Sequence, residues 1–313
     1  MPHPILGLHH VTATADGAQE DLDFYARTLG LRLVKKTVNF DNHNVYHFYY
    51  GNETGAPGTI WTTFPYRGWG VPPGVKGAGQ IEVTSFSVPA GSLDAWKTRL
   101  REQRIDVTDE PPRFGEESIS FADSSGLIVE LVANDRDGRA PWTGGGPGAD
   151  SAIRGLHSVT MIVREPEPSV ELLTDLLGFT VVNEMDGRIR LAVGADEPGK
   201  TLEIVVDPGA EQARNGRGTV HHVAMAIASA DEQVRLQQEL QKLHFNVTDV
   251  RDRQYFQSIY FREPGGILYE VATVKPGFTI DEDMSNLGCG LMLPPWEEAH
   301  RTMIEGRLPR VTV

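Results

Sequence analysis

Four times along the chain, a run of seven or eight strand-forming residues gives way to apolar positions spaced by three and four. The strand-like runs are 8–15, 81–88, 156–163 and 221–227, and their sequences align as LHHVTATA, IEVTSFSV (shifted by one), LHSVTMIV and HHVAMAI. The stretches after them are 18–29, 92–103, 167–177 and 230–243. They carry apolar sets at Leu22, Tyr25, Leu29; Leu93, Trp96, Leu100; Val170, Leu173, Leu177; and Leu236, Leu240, Leu243. A strand pattern passing into a 3.6-residue period predicts a strand followed by an amphipathic helix. Gly30 and Gly178 directly follow two of the helical stretches, where a left-handed cap is expected.

Each helix is followed by further strand-like runs, and a glycine-led strand closes every unit: 58–62, 126–130, 199–203 and 266–270. The repeating unit therefore reads β-α-β-β-β, and an unpaired unit would leave one sheet face bare. The predicted fold class is α+β, with four βαβββ modules forming two domains of paired, curved mixed sheets and the helices outside. Residues 141–152, rich in glycine and proline, read as a linker between an N-terminal domain at 1–140 and a C-terminal domain at 153–275. The remainder, 276–313, departs from the repeat, and its 293–309 segment reads as a proline-started helix carrying Trp296, Met303 and Ile304.

Side chains alternate between faces of a strand, so equivalent positions of aligned repeats point to equivalent sides. The residue before the Val-Thr or Val-Ala pair is His10, Glu82, Ser158 and His222 in the four modules; the last position of the closing strand is Thr62, Glu130, Glu203 and Glu270. Pairing modules one and four collects His10, His222 and Glu270, a set that leaves metal coordination positions open. Modules two and three supply no histidine at these positions. His157 with His222 and Glu270 is a rival set, but His157 aligns with His9, and alternation turns it away unless a β-bulge intervenes. The plainer reading makes these histidines hydrogen-bonded core or surface residues, and makes Glu130 and Glu203 paired or solvated.

The chain has 313 residues, 40% hydrophobic and 23% charged, enough for two cored domains. Asp and Glu outnumber Lys and Arg by 43 to 29, for a formal charge of −14, which disfavours phosphate backbones and argues against nucleic-acid partners. No apolar run is long enough to span a bilayer. The opening MPHPILGLHH has no signal-peptide pattern and Cys289 is the single cysteine, so the expected location is the reducing cytoplasm.

The opening GLHHVT, the segments at 46–65, 218–227 and 252–270, and the terminal LPPWEEAHRTMIEGRLP resemble the vicinal oxygen chelate superfamily of glyoxalases, extradiol dioxygenases and bleomycin-resistance proteins. More narrowly, they resemble its hydroquinone ring-cleaving dioxygenases, over essentially the whole chain. The resemblance implies an Fe(II) held by His10, His222 and Glu270, with Mn(II) or Zn(II) as other ions for such a set. It also implies roles near the metal for His9, Thr12, His221, Arg253 and Tyr260. His221, Tyr260, Arg253 and His9 are then candidates for proton handling and orientation, and Thr12 for the substrate side. Trp61, Phe64 and Phe256 are aromatic candidates for walls around a ring. The implied partners are a small aromatic diol and O2, both of whose atoms enter beside a hydroxyl-bearing ring carbon. A catechol-type dioxygenase, a glyoxalase-like isomerase or thiol transferase, and a non-catalytic aromatic binder remain alternatives. Exposed sheet edges are compatible with a homodimer.

Overall fold

The structure is a computed structural model and describes residues 5–313. Module one comprises β1 (Ile5–Ala15), α1 (Ala18–Leu22), β2 (Arg32–Asn39), β3 (Asn42–Gly51) and β4 (Ile60–Pro65). Module two comprises β5 (Gln80–Val88), α2 (Leu93–Glu102), β6 (Thr108–Arg113), β7 (Glu116–Ala122) and β8 (Ile128–Ala133). Module three comprises β9 (Gly155–Val163), α3 (Glu167–Glu171), β10 (Phe179–Met185), β11 (Arg188–Val193) and β12 (Thr201–Val206). Module four comprises β13 (Thr219–Ile227), α4 (Ala230–Lys242), β14 (Arg251–Asp252), β15 (Gln257–Arg262) and β16 (Leu268–Thr273). This is the expected α+β arrangement of βαβββ units.

Local signals set the helix ends. Ser229 caps α4 by accepting the Glu232 N–H. In modules one and three the helix widens into a π-helical turn, Asp23–Thr28 and Leu172–Leu176. Gly30 and Gly178 follow with φ of 72° and 81°, the left-handed conformation expected of them.

The strands form two eight-stranded sheets, ordered β14-β15-β16-β13-β1-β4-β3-β2 and β10-β11-β12-β9-β5-β8-β7-β6. At the centre of the first, β1 runs antiparallel to β13; at the centre of the second, β5 runs antiparallel to β9. Module one therefore pairs with module four, and module two with module three. The sheets join modules across residues 141–152, so the grouping expected within 1–140 and within 153–275 is not the grouping of the sheets.

One face of each sheet packs with the helices into a common apolar core. Val11 of β1, Tyr25 from the turn after α1, Trp96 of α2, Leu236 of α4 and Phe86 of β5 all belong to it. Trp61 belongs to it as well: it is fully buried, and its ring lies 5.2 Å from Tyr25 and 6.2 Å from Phe86. The expectation that Trp61 walls a ligand site is therefore corrected, since its neighbour Thr62 faces the opposite side of β4. The other face of the first sheet, carrying His10 and Thr12, is left for a cavity.

The tail packs along the first sheet. Lys35 on β2 is fully buried and donates to Asp281 at 2.6 Å, while Tyr255 donates to the same carboxylate at 3.0 Å. Lys36 bridges to Leu291, so the tail covers part of the β2 edge. The tail helix α5 is Arg301–Arg307, shorter than expected, because 3-10 and irregular turns occupy the proline-containing stretch before it. Ile304 is buried, whereas Trp296 and Met303 are exposed. Among the described residues, no helix is long and apolar enough to cross a membrane.

Candidate metal centre

The register of the central strands places the candidate ligands. Thr12 on β1 faces His222 on β13, His10 faces Ala224, and Ala224 in turn pairs with Glu270 on β16. The imidazole Nε2 atoms of His10 and His222 lie 3.3 Å apart, and Glu270 Oε2 is 3.3 Å from the first and 2.8 Å from the second. All three side chains are buried. The other oxygen, Glu270 Oε1, accepts a short hydrogen bond from Ser258 on β15. Oε2 is sealed from solvent yet has no hydrogen bond of acceptable geometry. Burial acts to raise the Glu270 carboxyl, but the two imidazoles hold it well below the usual range, so it is an anion. Two imidazole nitrogens and one otherwise unsatisfied carboxylate oxygen on one wall suit a divalent metal ion with open positions.

Each proposed histidine ligand is backed by its chain neighbour. His9 Nδ1 lies 2.8 Å from His10 Nδ1, and His221 Nδ1 lies 2.8 Å from His222 Nδ1. Strict alternation would forbid this, but both strands bulge here. Two steps on β1, from Leu8 to His10, stand against one step on β13, and β13 carries one extra residue between Val220 and His222. His9 and His221 are the inserted residues, and each bulge turns the extra imidazole back toward its neighbour. His9 also bonds to the Thr273 backbone. Donation to that carbonyl leaves His9 Nδ1 as an acceptor, so His10 donates from Nδ1 and keeps its Nε2 lone pair for a metal.

Burial, with the neighbouring His10, lowers His9 from 6.5 to about 3; burial, with His222, does the same to His221. An unfolded chain binds these protons near pH 6.5, whereas the folded metal-free chain resists them until about pH 3. Their contribution to stability is complete above the unfolded value and is lost as pH falls toward the folded one. The thermal midpoint of metal-free protein is therefore expected to drop between about pH 7 and pH 4. His9→Gln and His221→Gln should each flatten that drop; an unchanged slope in both variants would contradict the assignment.

A cavity of about 430 Å³ opens over the triad. Of the residues anticipated from sequence, Thr12, Phe64, His221, Arg253, Phe256 and Tyr260 line it together with the three proposed ligands. Phe256 packs 5.2 Å from the His10 ring and 4.9 Å from that of His9. Arg253 Nε donates to the Tyr260 hydroxyl at 3.0 Å, and its other arm reaches Asp41 at 3.0 Å. Burial raises Tyr260, keeping it a neutral phenol. His9 and Trp61 do not line the cavity: His9 stands behind His10, and Trp61 lies in the core. Sequence reasoning missed His47, Tyr49, Asn39 and Tyr66, which do line it. The alternation of YHFYY in β3 places His47 and Tyr49 on one face and was the available signal.

His157, the rival ligand, is far from this arrangement in its bonding. It sits between Ser158 Oγ at 3.0 Å and Glu116 at 3.1 Å in the other sheet.

A family profile described as glyoxalase/bleomycin resistance protein/dioxygenase superfamily matches residues 7–131 and 155–271. The chain belongs to this superfamily. It is 37% identical to the chlorohydroquinone/hydroquinone 1,2-dioxygenase of Sphingobium indicum, over 94% of this chain and 93% of that protein. It is 43% identical to MhqE of Bacillus subtilis, named provisionally as a ring-cleaving dioxygenase, over 97% of this chain and 99% of that one. A crystal structure of a provisionally named dioxygenase from Bacillus subtilis superposes with a TM-score of 0.94 at 41% identity, covering 99% of both chains. Glyoxalase I of Zea mays shares the fold at 13% identity, with a TM-score of 0.64 over 86% of this chain and 92% of that one.

In this superfamily member the second sheet bears the same bulges without the ligands. The register shifts at Glu82 on β5 and at His157 on β9, so Val83, not Glu82, is the counterpart of His10 and His222. Glu82 is exposed. The second cleft is filled by charge pairs instead. Arg113 meets Glu130 at 2.5 Å, and Glu203 receives Arg113 at 3.2 Å, Arg188 at 2.7 Å and Arg190 at 2.7 Å.

Proposed function

We propose that this protein is an Fe(II)-dependent ring-cleaving dioxygenase that acts on a substituted hydroquinone. The carrying observation is the convergence of His10 Nε2, His222 Nε2 and Glu270 Oε2 on one wall of an aromatic-lined cavity. The names of the similar proteins support the reaction class, and the one from Sphingobium indicum supports hydroquinones as the substrate class. His10, His222 and Glu270 would hold Fe(II), which would supply the one-electron chemistry that lets dioxygen react with a closed-shell ring.

The chain supplies the setting. His9 and Ser258 fix the His10 tautomer and the Glu270 carboxylate. As a ligand through Nε2, His222 donates from Nδ1 to His221, which then presents its Nε2–H to the cavity as a donor for developing negative charge. Tyr260, its oxygen held by Arg253, retains its own proton for a ring oxygen. Phe256 and Phe64 exclude water from the ring faces.

Oxygen uptake by anaerobically Fe(II)-loaded protein tests the proposal, with methylhydroquinone, chlorohydroquinone and catechol offered in turn. Stoichiometric uptake with a hydroquinone is expected, abolished in His10→Ala and kept in His157→Ala. Bound iron with no uptake on any ring would instead favour the glyoxalase-like alternative.

A further inference from the structure

His47 is a cavity residue with no role in the chemistry above. Its ring is clamped between Tyr49 at 4.0 Å and Phe64 at 4.2 Å, and its Nε2 lies 2.9 Å from Thr62 Oγ1. With Thr62 donating its hydroxyl proton to Thr12 Oγ1 at 2.9 Å, His47 carries its hydrogen on Nε2 and donates to Thr62. A neutral imidazole with hydrogen on Nε2 has its lone pair on Nδ1. Among the described residues no protein group bonds Nδ1, and it is not among the sealed, unbonded side-chain atoms. The ring is uncharged at neutral pH, because burial and the nearby His10 and His222 hold His47 well below its ordinary range.

The strand order fixes where this acceptor stands. The triad lies over β1, β13 and β16, and His47 approaches from β3, on the opposite side of β4. Two strand spacings, about 10 Å along the curved sheet, separate β3 from β1. A ring held at the triad through one oxygen and lying across β4 brings its far edge to His47.

We infer that His47 Nδ1 accepts a hydrogen bond from the second hydroxyl of the substrate, the one not on the metal, and so selects para diols. An ortho diol turns both oxygens toward the triad and offers His47 nothing. This inference rests on the ring-cleavage reading and adds the group that recognises the substrate pattern.

Calorimetric binding without oxygen, on Fe(II)-loaded protein, tests it with hydroquinone and 4-fluorophenol. The second ligand fills the same space but has no proton to donate at the far edge. Wild type should prefer hydroquinone by about tenfold, the worth of one good hydrogen bond. His47→Phe should erase that preference, and His47→Asn, which keeps a polar atom near the Nδ1 position, should restore part of it. A preference undiminished in folded His47→Phe overturns the inference while leaving ring cleavage standing. Failure of wild type to bind either phenol, together with absent oxygen uptake, overturns both.

Discussion

Replacing Glu270 by alanine is expected to lower metal retention and oxygen uptake by more than about a hundredfold, beyond the loss typical of groups that merely support a ligand. Glu270 is the only anion among the three converging atoms, and it is fully buried. Two neutral imidazoles alone would leave a divalent charge in a low-dielectric pocket without compensation. Ser258→Ala, which removes only the bond to Oε1, should cost much less. The measurement is iron content after gel filtration, beside circular dichroism to show that each variant is folded. Stoichiometric iron in folded Glu270→Ala would place the metal elsewhere.

The largest stability effect is expected far from that pocket. Glu203 has no exposed side-chain surface and meets three guanidinium groups, one of them, Arg190, itself buried. Glu203→Leu strands that positive charge in the second sheet, and breaking a buried pair from one side typically costs about 3–5 kcal/mol. Arg190 retains Glu116 at 2.7 Å, which limits the loss. Adding Arg190→Met to Glu203→Leu should recover part of it, since an apolar pair replaces an orphaned charge. Urea unfolding of metal-free protein gives the numbers. A loss below about 1 kcal/mol would show that the network is surplus to stability.

The repeat was legible because each module writes the same change of period, and the partnership of modules one and four was legible because only they bring histidines to the aligned position. Phe64, two residues after Thr62 on β4, shares its face and lines the cavity, while Trp61, three residues before Phe64, faces the core; alternation separates them. The bulges were not legible. Each inserts a single residue, His9 or His221, with no glycine or proline to announce it. They explain why His9 and His221, which strict alternation would turn to the back of the strand, touch His10 and His222. His47 was not legible because the middle strands of the four modules share no motif like that of the first and last, and its value comes from Thr62 standing where the other modules carry glutamate.

The four bulges also make the protein a spare socket. Positions 158 and 83 in the second sheet sit where 10 and 222 sit in the first, and Glu130 stands beside Ser85 as Glu270 stands beside Ala224. Val83→His and Ser158→His, with Arg113 replaced by a small neutral residue, would present that geometry on a backbone already bent for it. The chain path for a second centre is thus already laid, and the Arg188 and Arg190 pairs with Glu203 are what would still occupy it.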